Sequence, residues 1–188
     1  MSDSAMMLPK FLAEQLYQSR TILLCDGISP KVAALVSAQL LALSAVSDDP
    51  ITLVLSSPGG HVESGDVIHD MIRYVKPTVR ILGTGWVASA GALIFIAAER
   101  EHRFCLPNTR FLLHQPSGGA SGHASDIMIE ADEILKMRAR LNQMFADRTG
   151  QPLARIEKDT HRNFWLSPEE AVAYGLVGKI VRHVGEIV

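Results

Sequence analysis

Strand-like and helix-like segments alternate along this chain, and no other feature constrains its fold as tightly. "TILLC" (21–25) and "ITLVL" (51–55) are short runs of strand-forming residues, the second ending at the turn signal "SSPGG". Between them "PKVAALVSAQLLALSAV" (30–46) predicts a helix with proline in its first turn. "SGDVIHDMIRYV" (64–75) predicts another, opened by a Ser64 cap, because Val67, Ile68, Met71, Ile72 and Val75 recur at helical spacing. The strand "TVRIL" (78–82), a helix over "GTGWVASAGALIFIAA" (83–98) and the strand "RFLLH" (110–114) continue the pattern. Strands separated by helices pair in parallel, so the order predicts an α/β fold of repeated β-α units around a mainly parallel sheet.

The C-terminal third adds a different kind of element. From Ala124 to Arg148, Ile127, Ala131, Ile134, Leu135, Leu141 and Phe145 form one helical stripe, and Met128, Met137 and Met144 place apolar groups outside it. A long helix with that much apolar surface predicts either a partner helix or subunit, or a broad core face. "LSPEEAVAYGLVGKIV" then reads as a capped helix ended by Gly175 and followed by a strand. No linker interrupts the 188 residues, which predicts one domain.

Charge and cysteine usage narrow the function classes. A formal net charge of -2 leaves no basic footprint for nucleic acid. Cys25 and Cys105 lie too far apart for a disulfide framework or a metal knuckle, and both read as buried thiols in a reducing compartment. His61, His69, His102, His123, His161 and His183 make no i, i+4 pair and no cluster with cysteine, so no catalytic metal is expected. "MSDSAMMLPK" does not read as a secretory signal, and the longest apolar run, Trp86 to Ala98, is too short to span a bilayer. The expectation is a cytoplasmic protein with no membrane partner.

Three features fall at predicted strand ends, where open α/β sheets place their sites. Gly59-Gly60 can let backbone approach a ligand, although Pro-Gly-Gly is more often a plain turn. Ser89 at a helix start is by default a cap, but the same place offers backbone donors suited to an oxyanion, with the small residues Ala90 and Gly91 beside it. Val87 stands where the Gly-x-Ser-x-Gly elbow needs glycine. His114 closes "RFLLH". Each is weak alone; a serine, a histidine and an oxyanion donor on neighbouring strand ends together make an acyl-transfer constellation.

"SSPGGHVESGDVIHDMI", "GTGWVASAGA", "RFCLPNTRFLLHQPSGG" and "EKDTHRNFWLSPEEAVAYGLVGKI" closely resemble, in sequence and spacing, the corresponding blocks of the ClpP family, the proteolytic subunits of Clp proteases. The resemblance runs from about Phe11 to Val181. It implies a ClpP/crotonase-type fold and a serine endopeptidase without cofactor or metal, acting on unfolded polypeptides. On that resemblance Ser89 is the nucleophile, His114 its base and later acid, and the N–H groups of Gly60 and Ala90 the oxyanion hole. Glycine-rich strands at Gly60, His61 and Val62 and at Ser117, Gly118 and Gly119 would pair with an extended substrate. The helix at 124–148 would be the handle through which two heptameric rings stack, and an AAA+ unfoldase would be a partner.

The chain also departs from the family. Aligned without gaps, Asn163 stands where the family has the aspartate of its triad, with Asp159 at another acidic family position one helical turn earlier. An asparagine can orient a histidine but adds no charge. Residues 1–10 are shorter than the segment that forms axial loops in family members, and Thr52 and Val54 replace tyrosines that help grip the unfoldase, with Tyr74 nearby. These departures fit a second reading, a weakly active or inactive ring subunit that partners an active ClpP paralogue. A crotonase-type acyl-CoA enzyme ranks last, because it would want an acidic residue over the thioester.

Overall fold

The computed structural model describes residues 9–119 and 121–187; residues 1–8, where any axial loop would begin, lie outside them. The alternation read from the sequence is realised as an α/β fold with a mainly parallel sheet. Strands β1 (Thr21–Leu24), β2 (Ile51–Ser57), β3 (Val79–Ala88), β4 (Arg103–Cys105) and β7 (Lys179–Ile180) run side by side in that order, all parallel. Helices α1 (Lys10–Gln18), α2 (Pro30–Val46), α3 (Val62–Tyr74) and α4 (Ala90–Phe95) lie in the crossovers or ahead of the first strand.

The core follows from period-two burial. Ile51, Leu53 and Leu55 of β2 are fully buried, while Thr52 and Val54 on the opposite face are only half covered. The inward row packs on Val36 and Leu40 of α2, Ile68 and Ile72 of α3, and nearly all of α4. Cys25 is exposed, contrary to the expectation of two buried thiols, because β1 buries Ile22 and Leu24 and so turns Leu23 and Cys25 outward. Cys105 is buried, and desolvation pushes its thiol up to about 12.

Strand β3 is the element that builds the site. Its first half pairs β4 through Ile81–Gly83, and its second half pairs β5 (Arg110–Leu113) through Trp86–Ala88. The helix expected over 83–98 is therefore strand as far as Ala88, and only Ala90–Phe95 is helical. A continuous apolar run carries no periodicity to separate the two, and pairing with β5 decided it. Beyond β5 lies β6 (Phe164–Leu166), its antiparallel partner.

Helix α5 (Ala124–Thr149) buries only Leu141, Asn142, Phe145, Ala146 and Thr149, all near its C-terminal end. Its expected stripe does not stay on the core: Ile127, Met128, Ile129 and Leu135 are exposed and Ile134 is half-buried. The helix stands out from the body, and the broad-core-face alternative fails for its N-terminal half. At its base Arg140 makes a bidentate pair with Asp66 of α3, at 2.8 and 2.6 Å. Helix α6 (Leu153–Asp159) leads to β6, and α7 (Pro168–Tyr174), opened by a Ser167–Glu170 capping box and ended by Gly175 in the left-handed conformation, leads to β7.

Candidate active site

Ser89 sits at the tip of β3, between the strand and α4. Its backbone is at φ 55, ψ -120, where a non-glycine residue pays for its place, and its hydroxyl caps nothing. The N–H of Ser89 donates to the Leu112 carbonyl at 2.9 Å, so β5 holds the turn. The default reading of Ser89 as a helix cap is thus replaced by a strained residue with an uncommitted hydroxyl, half-buried above the helix start.

The glycine pair is built against it. Gly59 has φ +94, and a Cβ there would stand 2.6 Å from the Ser89 Cβ and 2.8 Å from the Ala88 carbonyl oxygen. Gly60 has φ +148, and a Cβ would fall 2.3 Å from the Ile28 carbonyl oxygen. The turn therefore needs both glycines, and it packs Gly59 against Ser89 and Ala90 and Gly60 against Ile28. It is fixed from behind: Ile28 N–H donates to the Gly59 carbonyl (2.8 Å), His61 N–H to the Ile28 carbonyl (3.0 Å) and Gly59 N–H to the buried Ser57 hydroxyl (3.1 Å).

The proposed substrate strands are not strands here. Gly60 forms one isolated bridge with Ile28, His61 is the N-cap of α3 and Val62 is its first residue. The His61 ring accepts from Ser64 N–H at 3.3 Å, so the cap is His61, and Ser64 is buried inside the helix instead of opening it. Ser117, Gly118 and Gly119 form an exposed irregular segment with no ladder partner among the described residues. A Cβ on Gly118 would stand 3.0 Å from Ile134 Cδ1, so the segment touches α5 at Gly118.

His114 follows β5 directly, two residues beyond the Leu112 that binds Ser89. In the antiparallel pair Leu113 faces Phe164, and the next positions along that register are His114 and Asn163. The structure thus brings Ser89, His114 and Asn163 to one sheet end. It does not join them: among the described residues, Ser89 Oγ, the His114 ring and the Asn163 amide take part in no side-chain hydrogen bond. Burial alone depresses the His114 imidazole below its ordinary range, with no carboxylate opposing it. Asp159 is no substitute, because its Oδ2 accepts from the Tyr174 hydroxyl at 2.9 Å and from Arg155 Nε at 3.3 Å.

Residues 9–184 match the family model described as Clp protease. The chain belongs to the Clp protease family. It is 61% identical over 172 residues to ATP-dependent Clp protease proteolytic subunit 3 of Rhizobium meliloti (strain 1021), covering 92% of this chain and 88% of that protein. It is 53% identical over 176 residues to proteolytic subunit 2 of Pseudomonas aeruginosa, covering 94% and 88% respectively. Two solved structures of ClpP1 from Listeria monocytogenes, an asparagine-to-aspartate mutant and ClpP1 itself, superpose with TM-scores of 0.89 and 0.85. Each is 50% identical, over 94% of this chain and 99% of the other. The ClpP-type fold expected from the sequence is therefore the fold observed. Within that frame, sequence reasoning singled out the Gly59-Gly60 pair but not the close packing of Gly59 on Ser89, and it passed over Gln115, whose polar side chain beside His114 carried no spacing signal.

Proposed function

We propose that this Clp protease family chain is, as one domain, a serine endopeptidase that cuts unfolded polypeptide through an acyl-enzyme. The observation that carries the proposal is Ser89 itself: φ 55, no cap hydrogen bond, and Gly59 so close that no side chain fits between them. Backbone strain of this kind is retained where function requires it. Ser89 Oγ attacks the scissile carbonyl as His114 takes its proton. Gly60 and Ala90 N–H groups stabilise the oxyanion, and His114 returns the proton to the leaving amine. Asn163 orients the imidazole through its amide oxygen. The protruding half of α5 supports a handle that stacks two rings of this chain in the cytoplasm. Docking of an AAA+ unfoldase has weaker support: Tyr74 is exposed, but Thr52 and Val54 offer no aromatic grip.

A second reading, a ring subunit that works only beside an active ClpP paralogue, is favoured by one observation. The Ser89 hydroxyl, the His114 ring and Asn163 share no hydrogen bond, so an assembly contact would have to close them. The test is intact mass after exposure to a fluorophosphonate, with Ser89→Ala as control and peptide hydrolysis followed in parallel. One adduct per chain, lost in Ser89→Ala, is the expected result. No adduct and no turnover, with labelling restored by a ClpP paralogue, would leave the second reading in its place.

A further inference from the structure

The segments that carry His114 and Asn163 separate immediately after their last shared ladder pair, Leu113 with Phe164. Residues 160–162 turn away before β6 begins, and regular pairing of the chain after His114 with Arg162 is lost. One residue bridges the gap. The backbone N–H of Gln115 donates to the Thr160 carbonyl at 2.6 Å, and its side-chain Nε2 donates to the His161 carbonyl at 2.7 Å. Two donors from a single residue thus grip consecutive carbonyls on the far side of the separation.

The turn it grips is itself rigid. Thr160 is 1% exposed, and its hydroxyl lies 2.9 Å from Asn142 Oδ1 and 2.8 Å from the Ile156 carbonyl oxygen. Asn142 is buried on the base of α5, where the helix meets the body. A path of hydrogen bonds therefore runs from α5 through Thr160 to Gln115, one residue from His114. Asn163, exposed and without a side-chain hydrogen bond among the described residues, has no such anchor of its own.

We infer that Gln115 is a positioning residue: its clamp on the Thr160 and His161 carbonyls, backed by the buried Asn142–Thr160 contact, sets His114 against Asn163. The inference rests on the peptidase reading above, but it concerns geometry that exists whether or not the protein turns over. An aspartate would hold its histidine partly by charge. Asn163 cannot, so alignment falls to backbone placement, and Gln115 is the polar side chain that supplies it across this gap. A misplacement of about 1 Å at a catalytic group can cost about a hundredfold in rate.

The experiment compares Gln115→Met with the unaltered protein. Methionine keeps the length and the backbone N–H bond to Thr160 but removes the donor to His161. Three quantities are read: the rate of fluorophosphonate labelling of Ser89, kcat and KM on a peptide, and the titration of the His114 ring by NMR with labelled histidine. The expected result is labelling and kcat slowed by about tenfold to a hundredfold with KM little changed. The His114 titration should move up toward the ordinary range as the ring loosens into water. Unchanged labelling with unchanged titration overturns the inference, and so does a raised KM at constant kcat, which would make Gln115 a substrate contact. If the unaltered protein neither labels nor cleaves, the peptidase reading fails, and Gln115 is judged on the His114 resonance alone: movement upholds its role, no movement overturns it. Should Gln115→Met not fold, Gln115→Glu replaces it, since an ionised carboxylate cannot donate to the His161 carbonyl and the same slowing is expected.

Discussion

Asn163 rather than a carboxylate is the next residue opposite His114 in the β5–β6 register, and burial is the one influence on the His114 titration. A general base must be neutral to take a proton, so depressing the imidazole extends the active range toward acid but stabilises the imidazolium of the transition state less. Asn163→Asp would put a carboxylate opposite His114 in the register that β5 and β6 already set. The expected outcome is peptide hydrolysis equal to or faster than that of the unaltered protein. The ceiling on the gain is about 10⁴, the cost of the reverse change in an aspartate triad. The acid limb of kcat/KM should shift to higher pH at the same time, because the new charge favours protonated His114. A complete loss of activity, or a limb that stays where it was, would remove Asn163 from the site.

Among the elements, α3 carries an unusual burden. His69 is 5% exposed, its Nδ1 lies 3.2 Å from Asp70 Oδ1, and its Nε2 has no partner among the described residues. Desolvation is the largest influence and lowers its pKa; Arg73 on the same helix and Arg148 from α5 lower it further, while Asp70 opposes them. The folded chain therefore binds a proton at His69 less readily than the unfolded chain does. Its stability contribution is complete above about pH 6.5 and is lost as pH falls through the depressed folded value. Urea unfolding at pH 7.5 and pH 5 should show His69→Gln losing less stability on acidification than the unaltered protein. Equal losses would mean that some other group, His114 among them, sets the acid limit.

The element scale also shows where sequence reasoning reaches and where it stops. α2 was legible to the residue, from Pro30 to Val46, because proline at the first turn and helical periodicity pointed the same way. The first half of β3 was legible as "TVRIL", but its second half was not: an unbroken small and apolar run fits strand or helix, and only the pairing of Trp86–Ala88 with Arg110–Leu112 makes it a strand. The identity of the candidate residues was legible through resemblance, but the strain at Ser89, the contact of Gly59 and the Gln115 clamp were not. They are properties of turns and loops brought together from positions 59, 89, 115 and 160. No local pattern encodes such separations.

For the whole molecule, the decisive fact is how the apolar surface is distributed. Most of the core is a single cluster between the sheet and its helices, yet α5 carries Met128 at 69% and Ile129 at 60% exposure well away from it. Residues 121–133 are exposed throughout, so this half of the helix gains nothing from its own body. A half-helix this short is only marginally stable in isolation, and packing is what normally holds it. A second copy presenting the same face would satisfy both, as a self-complementary contact between stacked rings. The substitution pair Met128→Glu with Ile129→Glu places like charges across that contact while leaving Leu141, Phe145 and the Arg140–Asp66 pair at the base untouched. Sedimentation velocity should then show the assembly falling to about half its mass, with the circular dichroism spectrum retained. Labelling of Ser89 should weaken with it, since the segment at Ser117–Gly119 packs against Ile134 of the same helix and would lose its support. An assembly of unchanged mass would mean that α5 projects from the body for some purpose other than joining rings.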